Sequence, residues 1–131
     1  MPDQTMTIRE MCDTFDVTPR TLRFYESKEL LSPIREGQRR LFTRRDRARL
    51  KLILRGKRFG FSLEEIRQLL DLYDMGRTGE QLERTYVLGQ KHLAEMEAQR
   101  GELDRAIEEL RAQLDWGERE LARRGGRSEV A

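Results

Sequence analysis

Residues 21–31 read TLRFYESKELL, and residues 35–58 read REGQRRLFTRRDRARLKLILRGKR. The first stretch has the pattern of a short amphipathic helix. The second carries eleven Lys or Arg side chains against only two acids, Glu36 and Asp46. So many like charges repel one another unless a polyanion neutralises them, and the phosphate backbone of a nucleic acid is the usual one. The two stretches therefore predict a recognition helix that leads into a basic surface.

Charge is divided unevenly along the chain. Residues 1–60 carry fifteen basic and eight acidic side chains, whereas residues 61–131 carry eleven and sixteen. With 37% hydrophobic and 38% charged residues, the 131-residue chain suits a small core with long exposed helices better than an enzyme with a deep pocket. One histidine and no phosphate-binding glycine loop leave no catalytic set. We therefore expect no catalytic residues and no enzymatic activity.

Four helix starts are predicted by N-cap residues that are followed by a helical apolar pattern. The signals are Thr7 with Glu10, Thr18 with Pro19, Thr43 with Asp46, and Ser62 with Glu65. The first two helices are separated only by Asp16 and Val17, which is the outline of a helix-turn-helix. Residues 34–42, with Gly37 in the turn, predict a short β-hairpin, or wing.

A heptad repeat begins after the glycines at positions 76 and 79. Twelve positions from Leu82 to Leu121 alternate in steps of four and three, and nine of them are apolar. These seam positions are Leu82, Tyr86, Gly89, Leu93, Met96, Arg100, Leu103, Ile107, Leu110, Leu114, Gly117 and Leu121. A helix from Glu80 to Arg124 would make a rod of roughly 65 Å at ~1.5 Å per residue. Such a rod needs a partner helix to cover its apolar side, and the simplest partner is a second copy.

These patterns predict a mostly α-helical fold in four parts. Residues 5–75 form a winged helix-turn-helix DNA-binding domain with a small β-hairpin wing, and residues 76–79 form a linker. Residues 80–124 form a dimerisation helix, and residues 125–131 form a flexible tail. No apolar run reaches the ~20 residues of a membrane span, and the N-terminal residues lack the apolar core of a signal peptide. We therefore expect a cytoplasmic protein with no membrane partner.

Metal binding is not expected from the sequence. The chain has one cysteine, Cys12, and one histidine, His92. A soft-metal site needs at least two convergent thiolates or imidazoles. We therefore expect no metal site and no cofactor, with Cys12 facing the core as a small buried hydrophobe.

The quoted elements, in this order, resemble the MerR family of bacterial transcription regulators. The matching motifs are TIREMCDTFDVTPRTLRFYESKELLSP, EGQRRLF and RGKRFGFSLEEIRQLL, which together cover residue 7 to about residue 73. The resemblance implies a homodimer joined by an antiparallel two-helix coiled coil. It also implies that the dimer binds a palindromic site in double-stranded promoter DNA. In this family the dimer bends and untwists that DNA, and this distortion realigns the promoter elements for RNA polymerase. The resemblance therefore adds RNA polymerase holoenzyme as a partner.

The resemblance also assigns roles to individual residues, by position. The DNA-binding residues it implies are Arg20, Thr21, Arg23 and Tyr25 on the recognition helix, Arg39 and Arg40 on the wing, and Arg55 late in the third helix. Arg39 departs from the family pattern, which usually has tyrosine at that place, so this wing is more basic than is typical. Tyr25 also fits the alternative of a simple core residue.

A small organic effector is implied by resemblance to short, cysteine-poor members of the family. These include regulators of branched-chain amino-acid and acyl-CoA breakdown, and the phrases EGQ, RRDR and LKLILRGKRFGFSLEEIRQLLDLYD carry that likeness. Candidate effector residues are Tyr73, Tyr86, His92 and Trp116, although packing is the commoner role of such side chains. The alternative for the whole chain is an architectural or coiled-coil adaptor protein that binds DNA without sequence preference.

Overall fold

The computed structural model describes residues 4–130, with side chains over residues 4–125. The described residues form two compact units, one that ends at Gly89 and one that begins at Gln90. The elements in chain order are β1 (Met6–Thr7), α1 (Ile8–Phe15), α2 (Pro19–Ser27), β2 (Ile34–Glu36), β3 (Arg39–Phe42), α3 (Arg44–Arg58), α4 (Leu63–Asp74) and α5 (Thr78–Val130). The predicted fold class, mostly helical with a small hairpin wing, is confirmed.

All four predicted N-caps are present. Thr7, Thr18, Thr43 and Ser62 each accept a hydrogen bond from the amide three residues ahead, at 3.1–3.2 Å. In three of them the cap amide in turn donates to the side-chain carboxylate of that third residue, which completes a capping box. The helix starts are therefore set by local chemistry that the sequence displays directly.

The two wing strands belong to a three-stranded antiparallel sheet in the order β1-β3-β2, with β3 in the middle. β2 and β3 form the predicted hairpin, and Gly37 in its turn has φ +58°, a conformation that favours glycine. β1 was not predicted. It pairs Met6 with Phe42 of β3 and so ties the start of α1 to the base of the wing.

The core of the first unit lies among α1 to α4, the wing and the first turns of α5. Its buried hydrophobic residues are Met11, Leu22, Tyr25, Leu30, Leu31, Phe42, Leu50, Ile53, Phe61, Ile66, Leu70 and Leu88. Gly56 lets α3 and α4 approach closely, since a Cβ at this position would lie 2.9 Å from Cγ1 of Ile66. Cys12 is half-buried against this core, and burial raises the pKa of its thiol.

One buried carboxylate stabilises the junction of wing and α3. Asp46 is 1% exposed, and it accepts hydrogen bonds from the amide of Ser32 and from both the amide and the hydroxyl of Thr43, at 2.9–3.0 Å. The bond from Ser32 reaches across fourteen residues. Asp46 therefore joins the loop after α2 to the start of α3.

α4 ends in a Schellman motif, and α5 begins soon after it. The amide of Arg77 donates to the carbonyl of Leu72, and Gly76, at φ +72°, donates to the carbonyl of Tyr73. α5 starts at Thr78, two residues before the predicted start, because Gly79 does not break the helix but lies in its first turn. The predicted flexible tail, residues 125–131, lies largely outside the residues whose side chains are described.

The apolar seam of α5 is exposed along its whole length. Its nine large apolar side chains have between 39% and 71% of their surface accessible. A helix with this much uncovered apolar surface is stable in water only when another surface packs against it. Within the described residues, no helix combines the length and the apolarity that crossing a membrane requires.

Candidate nucleic-acid interface

α2 presents one face to solvent and the other to the core. Leu22 and Tyr25 point inward, whereas Arg20 and Arg23 are exposed on the outer face. Thr21 is half-buried, and its hydroxyl lies 3.0 Å from the hydroxyl of Thr18 within the N-cap. The outer face of α2 therefore offers two arginines, while Thr21 has a local structural bond.

Tyr25 combines a buried ring with an accessible hydroxyl. The residue is 5% exposed and belongs to the core, and burial raises the pKa of its phenol. Its hydroxyl has no hydrogen-bond partner among the described residues. Since no side-chain oxygen in the described part is both fully buried and unpaired, this hydroxyl must reach the surface. Tyr25 thus serves the core with its ring and leaves a hydrogen-bonding group available outside.

A carboxylate on α2 fixes the wing against this helix. Glu26 accepts from Nη1 of Arg35 at 2.9 Å and from Nε of Arg40 at 2.6 Å. Arg35 and Arg40 face each other across β2 and β3, where two like charges would otherwise repel. Glu26 therefore relieves this repulsion and holds Arg40 in one place. Sequence patterns did not identify Glu26 or Arg35 as part of this surface.

Two arginines hold the chain that follows α2. Nε of Arg49, a residue only 5% exposed, donates to the carbonyl of Leu30 at 2.7 Å, and its Nη1 donates to Asp74 at 2.7 Å. Arg67 of α4 donates to the carbonyl of Lys28 at 2.6 Å. Burial lowers the pKa of Arg49, and the nearby carboxylate of Asp74 acts in the opposite direction. The C-terminal end of α2 is therefore fastened to both α3 and α4.

The outer side of α3 carries a basic cleft. Arg44, Arg47, Lys51 and Arg55 line it together with Tyr73, and its volume is about 440 Å³. Nη1 of Arg47 donates to the carbonyl oxygens of Gln4 and Phe42, so this arginine is already bonded. The other three cations are exposed and free to meet an anion.

Free cations are concentrated on α2, β3 and α3. On these three elements, eight exposed Lys and Arg side chains make no hydrogen bond, ion pair or ring contact with any residue that the structure describes: Arg20, Arg23, Arg39, Arg44, Lys51, Arg55, Lys57 and Arg58. Lys57 and Arg58 were not among the predicted contacts, although they lie in the last turn of α3 near Arg55. A winged helix-turn-helix with this array of free cations belongs to the class of nucleic-acid-binding domains.

Comparison with known proteins identifies the family. A family model described as MerR HTH family regulatory protein matches residues 6–72, half of the chain, and a model described as MerR, DNA binding, matches residues 47–113. The chain therefore belongs to the MerR family, whose members are transcription regulators.

Two relatives show how far the sequence likeness extends. The regulator ZntR of Escherichia coli (strain K12) is 43% identical over 67 residues, which make up 50% of this chain and 48% of ZntR. An HTH-type transcriptional regulator of Pseudomonas aeruginosa is 34% identical over 108 residues, or 80% of this chain and 74% of that protein. The chain thus spans about half the length of ZntR and most of the second relative.

Solved structures agree with this assignment. HiNmlR, described as a MerR family regulator lacking the sensor domain and bound to promoter DNA, has a TM-score of 0.61 at 26% identity, with 79% of each chain covered. MtaN, the N-terminal part of a multidrug transporter activator from Bacillus subtilis, has a TM-score of 0.53 at 29% identity, with 78% of this chain and 97% of MtaN covered.

The four candidate effector residues occupy different surroundings. Tyr73 lines the basic cleft, and Tyr86 is 67% exposed. In the second unit, His92 is 8% exposed and its Nδ1 lies 3.4 Å from Glu95, whereas Trp116 is 59% exposed. His92 and Trp116 are 24 residues apart on α5, or about 36 Å at ~1.5 Å per residue. One copy therefore cannot bring these two side chains into a single pocket.

Proposed function

We propose that the chain is a dimeric, sequence-specific DNA-binding transcription regulator of the MerR type. The observation that carries this proposal is the set of eight exposed, unpaired cations on α2, the wing and α3 of one winged helix-turn-helix. Cations that the protein leaves unpaired are available for phosphates. The likeness to HiNmlR, a family member whose structure contains promoter DNA, supports the same reading.

Base reading is assigned to the outer face of α2, and backbone binding to the wing and α3. Arg20 and Arg23 are exposed on α2, and arginine can donate two parallel hydrogen bonds to a guanine edge in the major groove. Phosphate contacts are assigned to Arg39, Arg40 and Arg55, to the accessible hydroxyl of Tyr25, and to Thr21, whose hydroxyl lies beside that of Thr18. Phosphate contacts set the register of a protein on DNA, whereas base contacts select the sequence.

Dimerisation is assigned to the seam of α5. The nine exposed apolar side chains, spaced by four and three residues, fit a second α5 packed antiparallel against the first. Two copies related by a twofold axis present two α2 helices, so the binding site should be a palindrome. This arrangement explains why the apolar surface of α5 is uncovered in a single chain.

Regulation is assigned to distortion of promoter DNA next to RNA polymerase, in response to a small organic molecule. Bending a site of 20–30 base pairs by 40–90° costs of order 1–6 kcal/mol, which contacts by the two subunits can supply. An organic effector is favoured over a metal ion because the chain has one cysteine and one histidine, and Cys12 is half-buried in α1 with a raised thiol pKa.

Selection of binding sites from random duplexes tests the proposal. We expect a palindrome that is bound at least about 10³-fold more tightly than random DNA at physiological salt. A ratio near unity would instead identify the alternative, a protein that binds DNA by charge alone.

Two matched variants separate base reading from phosphate binding. Arg23→Ala and Arg39→Ala each remove one exposed cation that has no partner among the described residues. Arg23→Ala should change the preferred bases, whereas Arg39→Ala should weaken all duplexes alike and reduce the salt dependence by about one unit of slope. Uniform loss in both variants would contradict the assignment of Arg23.

A further inference from the structure

We propose that the cavity between α3, α4 and the first turns of α5 binds a small molecule that has an apolar body and one anionic group. The proposal makes this cavity the effector site of the regulator. Its part that concerns DNA therefore rests on the proposed function, whereas ligand binding by the cavity does not. The cavity has a volume of about 310 Å³, at the lower end of the ~300–1,000 Å³ that is usual for small-molecule sites.

The floor of the cavity is apolar and closely packed. It includes Gly56, Phe61 and Ile66, which are all buried. The close approach at Gly56 brings α3 directly against Ile66. Leu52 and Leu69, both half-buried, continue the apolar wall. A space of this kind favours aliphatic or aromatic carbon over a hydrated group.

The side formed by α5 is already bonded to α4. Nε2 of Gln81 donates to the carbonyl of Leu69 at 2.8 Å, and the hydroxyl of Thr85 donates to the carbonyl of Gln81 at 2.7 Å. The first bond joins α5 to α4 beside the cavity, and the second lies within α5. They leave the recognition of a charged ligand to another residue.

Arg55 is that residue. It is the one cation in the cavity lining, it is exposed, and it makes no hydrogen bond or ion pair with the described residues. An exposed side chain that also lines the cavity lies at the opening, beside Phe59, which is 43% exposed. A ligand with its carbon body inside would therefore place a carboxylate or similar anion against the guanidinium, the arrangement in which hydrogen bonds are strongest.

The same arginine also lines the basic cleft of α3, where a DNA phosphate is proposed to bind. A ligand anion and a phosphate would then compete for one guanidinium, so the effector would act on the distorted promoter by releasing one backbone contact in each subunit. Since coupling between two binding sites is reciprocal, the ligand should weaken DNA binding by the factor by which DNA weakens ligand binding.

Calorimetry with simple probes tests the cavity without DNA. Octanoate supplies an apolar chain with a carboxylate, octan-1-ol the same chain without charge, and octylamine the opposite charge. We expect saturable binding of octanoate at one site per chain, weaker binding of octan-1-ol and none of octylamine. Equal binding of all three probes, or no saturable binding of octanoate, would overturn the proposal.

Two variants of α3 supply the matched comparison. Arg55→Gln and Lys51→Gln each remove one exposed, unpaired cation, but only Arg55 lines the cavity. Arg55→Gln should weaken octanoate binding about tenfold and leave octan-1-ol unchanged, whereas Lys51→Gln should change neither. Leu69→Phe, checked for folding by its thermal melting curve, should fill the cavity and weaken both probes. Equal loss of octanoate in both glutamine variants would show a general charge effect and overturn the assignment.

DNA binding is measured separately. For the wild-type chain on its selected duplex, saturating octanoate should reduce DNA affinity about tenfold, within the 5–150-fold range of typical coupling. If the chain binds octanoate but no DNA, the proposed function fails and the cavity stands. If it binds DNA but no octanoate, the cavity proposal fails alone. Binding of octanoate only at dilutions where a dimer dissociates would mean that a second copy fills the cavity, and this too overturns the proposal.

Discussion

Truncation of one seam residue should dissociate the proposed dimer while the fold of each chain is retained. Leu103 is 61% exposed in the single chain, so this fraction remains for a partner helix to cover. Leu103→Ala removes three carbon groups, each contributing ~0.8 kcal/mol when fully buried. The loss is therefore about 1.5 kcal/mol per chain and, since both subunits contribute this residue, about 3 kcal/mol per dimer. At ~1.4 kcal/mol for each factor of ten, the dimer dissociation constant should rise roughly a hundredfold.

Sedimentation equilibrium over a range of concentrations measures this dissociation constant directly. The matched control is Arg105→Ala, which shortens an exposed side chain two residues later, about 200° around the helix and away from the seam. We expect the control to leave the constant within a factor of three. Circular dichroism should show the helix of both variants intact at high concentration. If the two variants dimerise equally well, the seam is not the dimer contact and the reasoning from the heptads is refuted.

Three further perturbations test the packing of the first unit and the caps. Gly56→Ala should destabilise the fold by about 1–3 kcal/mol through overpacking, whereas Gly101→Ala, with open space around its Cβ, should stabilise α5 slightly. Urea unfolding measures the free energy of unfolding of both variants. Equal effects would contradict the close approach at Gly56. Asp46→Ala should cost about 3 kcal/mol by the same assay because three donors lose a buried carboxylate, and a loss below 1 kcal/mol would argue against that role. Hydrogen bonds from Thr7 lower the pKa of Glu10. The stability that the Glu10 carboxylate contributes is therefore present above the ordinary glutamate pKa and is lost as the pH falls through the lowered pKa. Glu10→Gln should flatten this acid dependence of the melting temperature, and an unchanged acid profile would contradict the role of Glu10.

Local features of the fold could be predicted from the sequence because their causes lie within a few residues. The N-caps at Thr7 and Thr43 each depend on a partner three positions ahead, and the hairpin depends on a turn with Gly37. β1 escaped prediction because two residues carry no periodicity, and its pairing of Met6 with Phe42 reaches across the whole helix-turn-helix.

The candidate interface could be predicted in composition but not in detail. Position in the family motifs pointed to Arg23 and Arg40, and both lie on the predicted elements. The bonds of Glu26 to Arg35 and Arg40 join residues nine and fourteen positions apart, and charge patterns do not reveal which of many acids and bases will pair. The apolar cavity behind Arg55 also follows only from packing, since it joins three helices.

The bonds that Glu26 makes in the protein without DNA reduce the side-chain entropy that can still be lost on binding. An arginine that is mobile before it binds a phosphate loses side-chain freedom on binding, at a cost of about 0.5–1.5 kcal/mol. Arg40 is already held through its Nε at 2.6 Å, so much of this freedom is lost when the chain folds. In the proposed complex the wing would therefore meet DNA with Arg40 preorganised, whereas Arg39, which is exposed and makes no bond with the described residues, would lose its side-chain freedom on binding.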